Sequence, residues 1–323
     1  MRLLIGFRKP FAALEEALAE AGCEFLRWVP GEPPPAALQA DAALVDVCDL
    51  ARNLVSGWRL RRILRRFSTP LIGLDRDAPW HKGVRARRLL LLRALHLLDV
   101  YASHSLQDAT HFAREAIYLP NAAWTNRYHL GVQTLQSLRE ASRYRYDVTF
   151  IGNVNAQRYR EHAERVKYLD ALRERLAVAG IALQVFDGDT VTPAAQIELI
   201  QASRINLNYG AAADHGSLRS WGLPERCYGI PACGGFLLSD ERRHARDDFI
   251  PGAEWVSFGT LDDCVGKIVH YLAHFGQARD IAEAAHRRVL RDHTYRQRAQ
   301  QLMAHVERCH GSRYERANAR GNR

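Results

Sequence analysis

Short apolar runs alternate with longer amphipathic stretches from the first residues onward. Runs of four to six apolar residues are typical of buried strands, and apolar positions that recur every three or four residues are typical of helices. In the first part of the chain the predicted strands are 3–7, 24–29, 42–47, 71–74, 100–103 and 117–119. The predicted helices are 11–21, 54–67, 86–97 and 107–115. Strands that alternate with helices favour right-handed crossovers, so this part predicts a doubly wound, Rossmann-like parallel sheet.

The alternation restarts after residues 121–146, which are polar and have no strand pattern. Here the predicted strands are 148–151, 183–186, 205–207, 235–238 and 255–258, and the predicted helices are 163–179, 193–202, 224–230, 261–275, 278–290 and 295–308. We therefore predict an N-terminal Rossmann-like domain at 1–142, a second at 143–296, and a C-terminal helix with a frayed tail at 297–323. Two such α/β halves predict a cleft, where ligands gather at the carboxyl ends of the strands.

The composition is that of an ordinary globular protein, with 47% apolar and 25% charged residues. No run of about 20 apolar residues is present, and the first residues lack the features of a signal peptide. The six cysteines show neither CxxC pairs nor metal-ligand spacing, which is typical of reduced core thiols. These features predict a cytoplasmic protein.

The net charge of +9 is concentrated in one stretch. From Arg52 to Arg93, twelve Arg or Lys stand against two Asp, a local net of +10. Such a patch predicts an anionic membrane surface or an acidic glycan or protein as partner, with a solvated helix face as the alternative. A nucleic-acid binder would need aromatic side chains interleaved with the basic ones, and Trp58, Phe67 and Trp80 are too few for that role.

The first loop with candidate chemistry is VTFIGNVNAQR, residues 148–158. A predicted strand runs directly into Gly152 and Asn153, and a polar turn and a helix follow. Gly152 permits close backbone approach, amides at a helix start can bind phosphate, and Arg158 can add a bidentate clamp. The alternative is a plain strand–turn–helix connection.

The second loop is LPERCYGIPACGGFLLSD, residues 223–240. A short helix that carries Arg226 ends at Gly234 and Gly235 and leads into an apolar strand. The glycines would bring backbone close to a ligand, and Arg226 could meet a diphosphate. The alternative is a helix C-cap before a core strand. Neither half has GxGxxG after its first strand, which disfavours a nicotinamide dehydrogenase.

Residues 226–298 resemble the C-terminal domain of GT-B glycosyltransferases, particularly the CgeB-like (spore-maturation-protein-like) group. The matching residues are Arg226, IPACGGFLL at 230–238, Asp240, 249–254, 271–272, 281–282 and HTYR at 293–296, together with 150–153. Only 77–79 and 118–121 are similar in the first half. The resemblance implies a GT-B fold, two Rossmann-like parallel-sheet domains that face a cleft. It also implies a nucleotide-sugar donor on the second domain, an acceptor on the first, and neither a metal nor another cofactor.

The resemblance further implies that Gly152, Asn153, Arg226, Gly234 and Gly235 contact the donor. One position departs from the family pattern. Where such enzymes usually place a ribose-binding Glu, three residues after the Arg, this chain has Gly229. Glu225 lies one helical turn earlier on the same face and is the expected substitute. Gly229 leaves open an unusual donor, or a non-catalytic nucleotide-sugar or anionic-partner binding module on the GT-B frame.

Two tripeptides, Asp75-Arg-Asp77 and Asp187-Gly-Asp189, raise a metal site as an alternative, because paired carboxylates can hold a divalent cation on a diphosphate. Since the resemblance implies no metal, the leaving diphosphate needs other positive groups. Arg226 and Arg158 are the candidates for that role.

Transfer to a hydroxyl would need a base on the first domain. Asp77, at a predicted strand end, is the first candidate and His104 is the second; a turn-capping Asp and a surface His are the alternatives. Arg8 and Lys9 follow the first strand and are expected to contact the acceptor or phosphate, unless they lie in a solvated loop. The sequence thus predicts a metal-independent glycosyltransferase that moves a sugar from a nucleoside-diphosphate sugar to a hydroxyl-bearing acceptor (glycan, lipid-linked or protein), in the cytoplasm or at the inner face of the membrane.

Overall fold

A computed structural model describes residues 1–35, 38–76, 84–104, 112–157, 160–210 and 222–321. The chain divides into two compact units. The first domain comprises Met1–Pro120 and Tyr295–Arg323, and the second domain comprises Asn121–Thr294. Compared with the predicted boundaries, the polar stretch 121–146 joins the second domain and the last helix joins the first.

The first domain contains a parallel sheet whose strand order, within the described residues, is β2-β1-β3-β4-β5-β6. Its strands are β1 (Arg2–Gly6), β2 (Glu24–Arg27), β3 (Ala42–Asp46), β4 (Leu71–Asp75), β5 (Val100–Ser103) and β6 (Glu115–Tyr118). Its first helices are α1 (Ala12–Glu20), α2 (Val47–Arg52), α3 (Leu54–Arg66) and α4 (Ala86–Ala94). Strands β3, β4 and β5 are buried at every residue, as expected for a parallel sheet covered on both faces.

The short helix α2 was absent from the sequence-based prediction. It begins directly after β3, where the Asp46 side chain accepts a hydrogen bond of 2.9 Å from the Asp49 amide and caps the helix. Six residues are too few to show a helical repeat of apolar positions. The helix is therefore too short to be predicted from the sequence pattern.

The second domain contains a parallel sheet whose order, over the described part of the chain, is β11-β10-β9-β7-β8. Its strands are β7 (Tyr146–Gly152), β8 (Leu183–Asp187), β9 (Ser203–Asn208), β10 (Leu237–Asp240) and β11 (Val256–Phe258). Its helices are α5 (Arg160–Val178), α6 (Pro193–Gln201), α7 (Arg226–Ala232), α8 (Ala245–Asp248), α9 (Leu261–Ala273) and α10 (Phe275–Asp292). Because β8 and β9 lie on opposite sides of β7, the carboxyl ends of β7 and β9 mark the switch point where ligands bind in such sheets.

The last helix, α11 (Tyr295–Gly321), packs on the first domain. The Tyr295 ring meets the Phe11 ring edge to face at 5.2 Å. Arg298 is buried and its Nε donates to the Pro120 carbonyl at 3.1 Å. These contacts explain why the helix belongs to the first domain, and it continues to Gly321 where a frayed tail was expected.

The prediction of two parallel α/β domains is confirmed. All six cysteines lie in the described residues, form no disulfide, and five of them are buried, in agreement with the predicted reduced core thiols. In the described residues, none of the helices combines the length and the apolarity that crossing a membrane requires.

Candidate functional site

Three neighbouring strands of the second domain end at the same edge of the sheet, and two of them end in polar side chains. Gly152 ends β7, Asn208 ends β9 and Asp240 ends β10. The fully buried Asn208 side chain donates from Nδ2 to Ser239 Oγ and to Asp240 Oδ1, both at 2.9 Å. These bonds fix the direction of the Asp240 carboxylate at this edge of the sheet.

Two arginines converge on these strand ends, one from the segment that follows β10 and one from the start of α7. Arg242 donates from Nε and Nη2 to the two carboxylate oxygens of Asp240, at 3.1 and 2.9 Å. Arg226, the first residue of α7, donates from Nε to Asn208 Oδ1 and from Nη2 to the Gly210 carbonyl at 3.1 Å. Arg226 thereby lies over the end of the sheet in a fixed orientation.

A third arginine comes from helix α5. Arg165 is only 2% exposed. Its Nε donates to the Tyr209 carbonyl at 3.0 Å and its Nη1 donates to the Asn153 carbonyl at 2.7 Å. We call Arg165, Arg226 and Arg242 the arginine cluster.

The cluster is electrostatically unusual, because the hydrogen bonds of Arg165 and Arg226 go to neutral oxygens, whereas Arg242 pairs with Asp240. Burial, and then the nearby charges of Arg226 and Arg242, lower the pKa of Arg165 to about 9. Burial also lowers the pKa of Arg226. Arg165 stays protonated at neutral pH, so positive charge accumulates where little water screens it. Such a group favours an anionic ligand, and forked guanidinium groups suit phosphate oxygens.

Two glycines let the backbone approach this cluster. A Cβ on Gly152 would lie 2.9 Å from Phe150 Cζ and 3.9 Å from Arg226 Nη1. The amide of Gly188 donates to the Gly152 carbonyl at 3.1 Å, and a Cβ on Gly188 would lie 3.2 Å from Gly152 Cα. The close packing at the ends of β7 and β8 therefore requires residues without side chains.

The structure brings together three of the predicted donor residues, Gly152, Asn153 and Arg226. Asn153 supplies the carbonyl that holds Arg165, and its Nδ2 donates to Asp189 Oδ2 at 2.6 Å. The Asp187 side chain accepts from the Asp189 amide at 3.1 Å. The Asp187-Gly-Asp189 tripeptide thus builds the turn beside the cluster.

Gly234 and Gly235 lie elsewhere. They connect the end of α7 to the start of β10, at the edge of the sheet opposite Asp240. A Cβ on Gly234, whose φ is +75°, would lie 2.5 Å from Leu138 Cδ1, and one on Gly235 would lie 2.7 Å from Ile200 Cγ2. This location argues against the expected donor contact of these glycines and favours the alternative, a helix C-cap before a core strand.

The departure at Gly229 has a structural counterpart in Tyr128. A Cβ on Gly229 would lie 2.7 Å from the Tyr128 ring, so the buried aromatic side chain fills the space into which a side chain at 229 would extend. Burial, and next the charge of Glu225, raise the pKa of Tyr128 to about 12. Glu225 directly precedes Arg226 at the start of α7 and is partly buried. The predicted substitute therefore lies next to the arginine cluster.

Other predicted residues are less informative. Asp77 and Arg158 lie outside the described residues. His104 follows β5 and is buried, so the alternative of a surface histidine is wrong. Arg8 and Lys9 follow β1 and are exposed, and the Arg8 amide donates to Asp49 Oδ2 at 3.0 Å.

Neither Asp tripeptide belongs to a group of metal-ligating side chains within the described ranges. Asp75 is buried and accepts hydrogen bonds from the hydroxyl groups of Tyr101 and Ser103, at 2.8 and 3.2 Å. In the described part of the chain, a group close enough to share an ion is Glu115, His305 and Cys309, in the first domain. Arg308 Nη2 lies 3.4 Å from His305 Nδ1 and brings a competing positive charge to that group.

Sequence reasoning missed Arg165, Arg242 and Asn208, and it matched Asp240 to the family without assigning it to the site. Asn208 and Asp240 each follow a buried apolar run, and a polar residue at that place in a parallel strand points to the carboxyl edge. That signal was available. Arg165 is one of several charged residues on α5, and nothing in its spacing distinguishes it.

Comparisons with known proteins agree with this architecture. A family model described as glycosyl transferase-like matches residues 131–304, which is more than half of the chain. None of the curated proteins matches this sequence.

Solved structures resemble the chain over nearly its whole length. Anabaena HepE, in complex with UDP and glucose, has a TM-score of 0.63 at 14% identity, and the match covers 95% of this chain and 99% of HepE. Sucrose-phosphate synthase from Thermosynechococcus elongatus has a TM-score of 0.62 at 12% identity, with coverages of 96% and 99%. A UDP-forming α,α-trehalose-phosphate synthase from Burkholderia vietnamiensis has a TM-score of 0.57 at 12% identity, with coverages of 95% and 96%. At identities this low, the structural similarity demonstrates a shared fold alone, and the family match adds the activity class. The chain therefore belongs to the glycosyl transferase-like family and is a glycosyltransferase with the GT-B fold.

Proposed function

We propose that this glycosyltransferase holds the diphosphate of a nucleoside-diphosphate sugar at the arginine cluster. The observation that carries the proposal is that the buried Arg165 and the partly buried Arg226 donate their hydrogen bonds to neutral oxygens, which leaves their charges available to an anionic ligand. A diphosphate would bring the negative charge that this edge of the sheet favours. The HepE complexes with UDP and with UDP-glucose are consistent with such a donor.

We propose that the reaction is metal-independent. Transfer breaks the bond between the anomeric carbon and a diphosphate oxygen, and negative charge grows on the departing nucleoside diphosphate. Arg226 is already oriented by Asn208 and Gly210, and Arg165 by two carbonyls. Donors fixed before the reaction stabilise that charge without reorganising. The two arginines would stabilise the charge of the departing diphosphate, as a divalent cation does in metal-dependent transferases.

We also propose that Glu225 binds the donor ribose, because the Tyr128 ring fills the space beside Gly229. In this proposal the acceptor carries a hydroxyl group (on a glycan, a lipid-linked molecule or a protein) and meets the first domain, with Asp77 as its base. We propose that the chain is a member of the CgeB-like group, on the basis of the residues matched between 226 and 298 together with 150–153. The basic helices α3 and α4 lead us to propose a cytoplasmic enzyme that works at the inner face of a membrane.

The first test measures binding of UDP, GDP, ADP and CDP to the full chain by calorimetry and thermal shift, with magnesium and with EDTA. We expect one nucleoside diphosphate to stabilise the protein, by about 2.7 kcal/mol at 100 times its dissociation constant, and EDTA to leave this unchanged. Turnover of the corresponding nucleotide sugars would then identify the sugar. A requirement for magnesium would refute metal independence, and no response to any nucleotide would refute the proposed donor site.

A further inference from the structure

Helices α3 and α4 of the first domain expose large apolar side chains. Val55 and Trp58 on α3 are 67% and 43% exposed, and Leu90 and Leu91 on α4 are 63% and 51% exposed. On α3 these residues lie three apart and share a face, opposite the buried Leu60 and Leu64 that pack on the domain core. Exposed aliphatic and aromatic residues grouped in this way indicate a contact surface.

A pocket of about 660 Å³ lies beside these residues. Its basic lining residues, which we call the pocket arginines, are Arg52, Arg59, Arg87 and Arg88. The remaining described residues that line it are neutral: Gly31, Asn53, Leu54, Val55, Ser56 and Leu91. The pocket therefore combines strong positive charge with an apolar rim, and the exposed Val55 and Leu91 belong to both features.

The pocket is built on fixed groups. Arg88 Nη1 donates to the carbonyls of Ala51 and Arg52 at the end of α2, where a cation is favoured by the helix dipole. On the other wall, Ser56 Oγ accepts from the Gly31 amide and donates to the Asn53 carbonyl, both at 3.0 Å. These bonds give the charged pocket a defined shape.

The arginines of α3 differ in what they contact. Arg61 forms two short hydrogen bonds with Asp99, at 2.6 and 2.5 Å, and therefore serves the fold. The Arg62 guanidinium lies 4.9 Å from the centre of the Trp58 ring. An exposed tryptophan beside arginines is an arrangement that suits the region between lipid headgroups and acyl chains.

We propose that this surface docks on an anionic lipid bilayer, with a phosphate-bearing headgroup in the pocket and with Trp58, Leu90 and Leu91 entering the acyl boundary. Charge complementarity selects the anionic surface, and the apolar rim selects a bilayer over a soluble polyanion. A single-stranded nucleic acid would instead need aromatic residues on which bases stack. The role of this docking rests on the proposed function: it would bring the enzyme to membrane-bound acceptors.

The test is sedimentation of the full chain with vesicles of phosphatidylcholine, with or without phosphatidylglycerol. We expect binding only when phosphatidylglycerol is present. Replacement of two exposed pocket arginines, Arg59→Gln with Arg87→Gln, should weaken binding roughly 25-fold, at roughly fivefold per arginine. The matched control, Arg173→Gln with Arg287→Gln, removes the same charge from exposed helix positions of the second domain and should change binding less than about twofold.

The apolar contribution is tested separately by Trp58→Ala with Leu90→Ala, which keeps every charge. We expect roughly tenfold weaker vesicle binding, since both side chains would lose contact with the acyl boundary. Equal binding to both kinds of vesicle would overturn the proposal. So would a pocket variant no weaker than its control, or an apolar variant equal to wild type.

Soluble competitors distinguish the bilayer from other polyanions. Glycerol phosphate should compete only weakly, because it lacks the acyl boundary. Tight binding to an acidic polysaccharide or peptide without vesicle binding would assign the surface to that partner and overturn the proposal of bilayer docking. Nucleotide binding measured on the same variants is expected to match wild type. A wild-type protein that binds nucleotide but not phosphatidylglycerol vesicles contradicts this inference alone, whereas absence of nucleotide binding in wild type contradicts the proposed function.

Discussion

The molecule carries two groups of arginines that use the same side chain in opposite ways. In the second domain, Arg165 and Arg242 of the arginine cluster are buried, and each cluster member is held by hydrogen bonds to strand ends or loop carbonyls. In the first domain, Arg52, Arg59 and Arg87 of the pocket are exposed to solvent. Burial makes the cluster suited to a ligand of defined shape, whereas exposure makes the pocket suited to a charged surface.

The difference follows from the cost of burying charge. A buried guanidinium loses its hydration, and hydrogen bonds and an opposing charge offset that loss. Asp240 supplies that charge to Arg242, and the pKa of Arg165 is depressed by burial and by its cationic neighbours. Exposed arginines keep their hydration, so each contributes little alone and several act additively. The comparison can be tested by changing charge, geometry and salt in turn.

Removing the carboxylate of Asp240 should have the strongest effect, and that effect is on the free energy of unfolding. Asp240→Asn removes the carboxylate that Arg242, Asn208 and the Gly210 amide all contact. Breaking a buried ion pair in this way should lower the free energy of unfolding by about 3–5 kcal/mol. Asp170→Asn, on the exposed pair with Arg173, is the matched control and should cost at most about 1 kcal/mol. Urea unfolding measures both.

A ligand provides a second check on Asp240→Asn. If the cluster binds diphosphate, inorganic pyrophosphate should restore part of the lost stability, because it brings negative charge back to the same arginines. An Asp240→Asn protein as stable as wild type would mean that the cluster does not depend on its carboxylate.

The next effect is on donor affinity. Arg226→Gln removes a positive group that lies over Gly152 at the end of β7. Since a hydrogen bond to a charged group is worth about 1.5–3 kcal/mol, the dissociation constant of the preferred nucleoside diphosphate should rise about 10- to 100-fold. Arg246→Gln, at an exposed position of α8, is the control and should leave it unchanged. Titration calorimetry measures the dissociation constants of both variants, after thermal unfolding has shown that they are equally stable. Equal affinities would remove Arg226 from the site.

Ionic strength should affect binding at the arginine cluster and at the pocket arginines to different extents. Raising the ionic strength from about 0.1 M to about 1 M shortens the screening length from about 10 Å to about 3 Å. Vesicle binding through the exposed pocket arginines should then fall at least about tenfold, while nucleotide binding at the buried cluster should change only a few-fold. Sedimentation and calorimetry on one preparation give both numbers. A parallel loss of both activities would contradict the distinction between buried and exposed arginines.

The sequence predicted the strands and helices well because burial imposes their periodicities. Strand β7, for example, is predicted at 148–151 and observed at Tyr146–Gly152. It also located Gly152 and Arg226, which stand beside a strand end and a helix start. Position relative to a buried run is information that one sequence contains.

The rest of the site depends on contacts between distant segments. Arg165 reaches the strand ends from the interior of α5, and Tyr128 fills the space beside Gly229 from a loop about a hundred residues earlier. Gly234 and Gly235 show the converse: the sequence predicted that they bring the backbone close to a ligand, but they pack against Leu138 and Ile200, where a side chain would not fit. Local pattern does not encode which distant side chain comes near, and the arginine cluster consists of such contacts.

Lysine substitutions test the role of geometry, because they keep every charge, and their effects should be the mildest. Arg226→Lys retains the positive charge but loses the fork that bonds Asn208 and Gly210 together, so nucleotide affinity should fall about tenfold. Arg59→Lys with Arg87→Lys should change vesicle binding less than about twofold, since a bilayer surface responds mainly to charge. Calorimetry and sedimentation compare the two variants directly. If lysine serves equally well at Arg226, charge alone would account for both groups, and the hydrogen-bonded geometry of the arginine cluster would have no part in donor recognition.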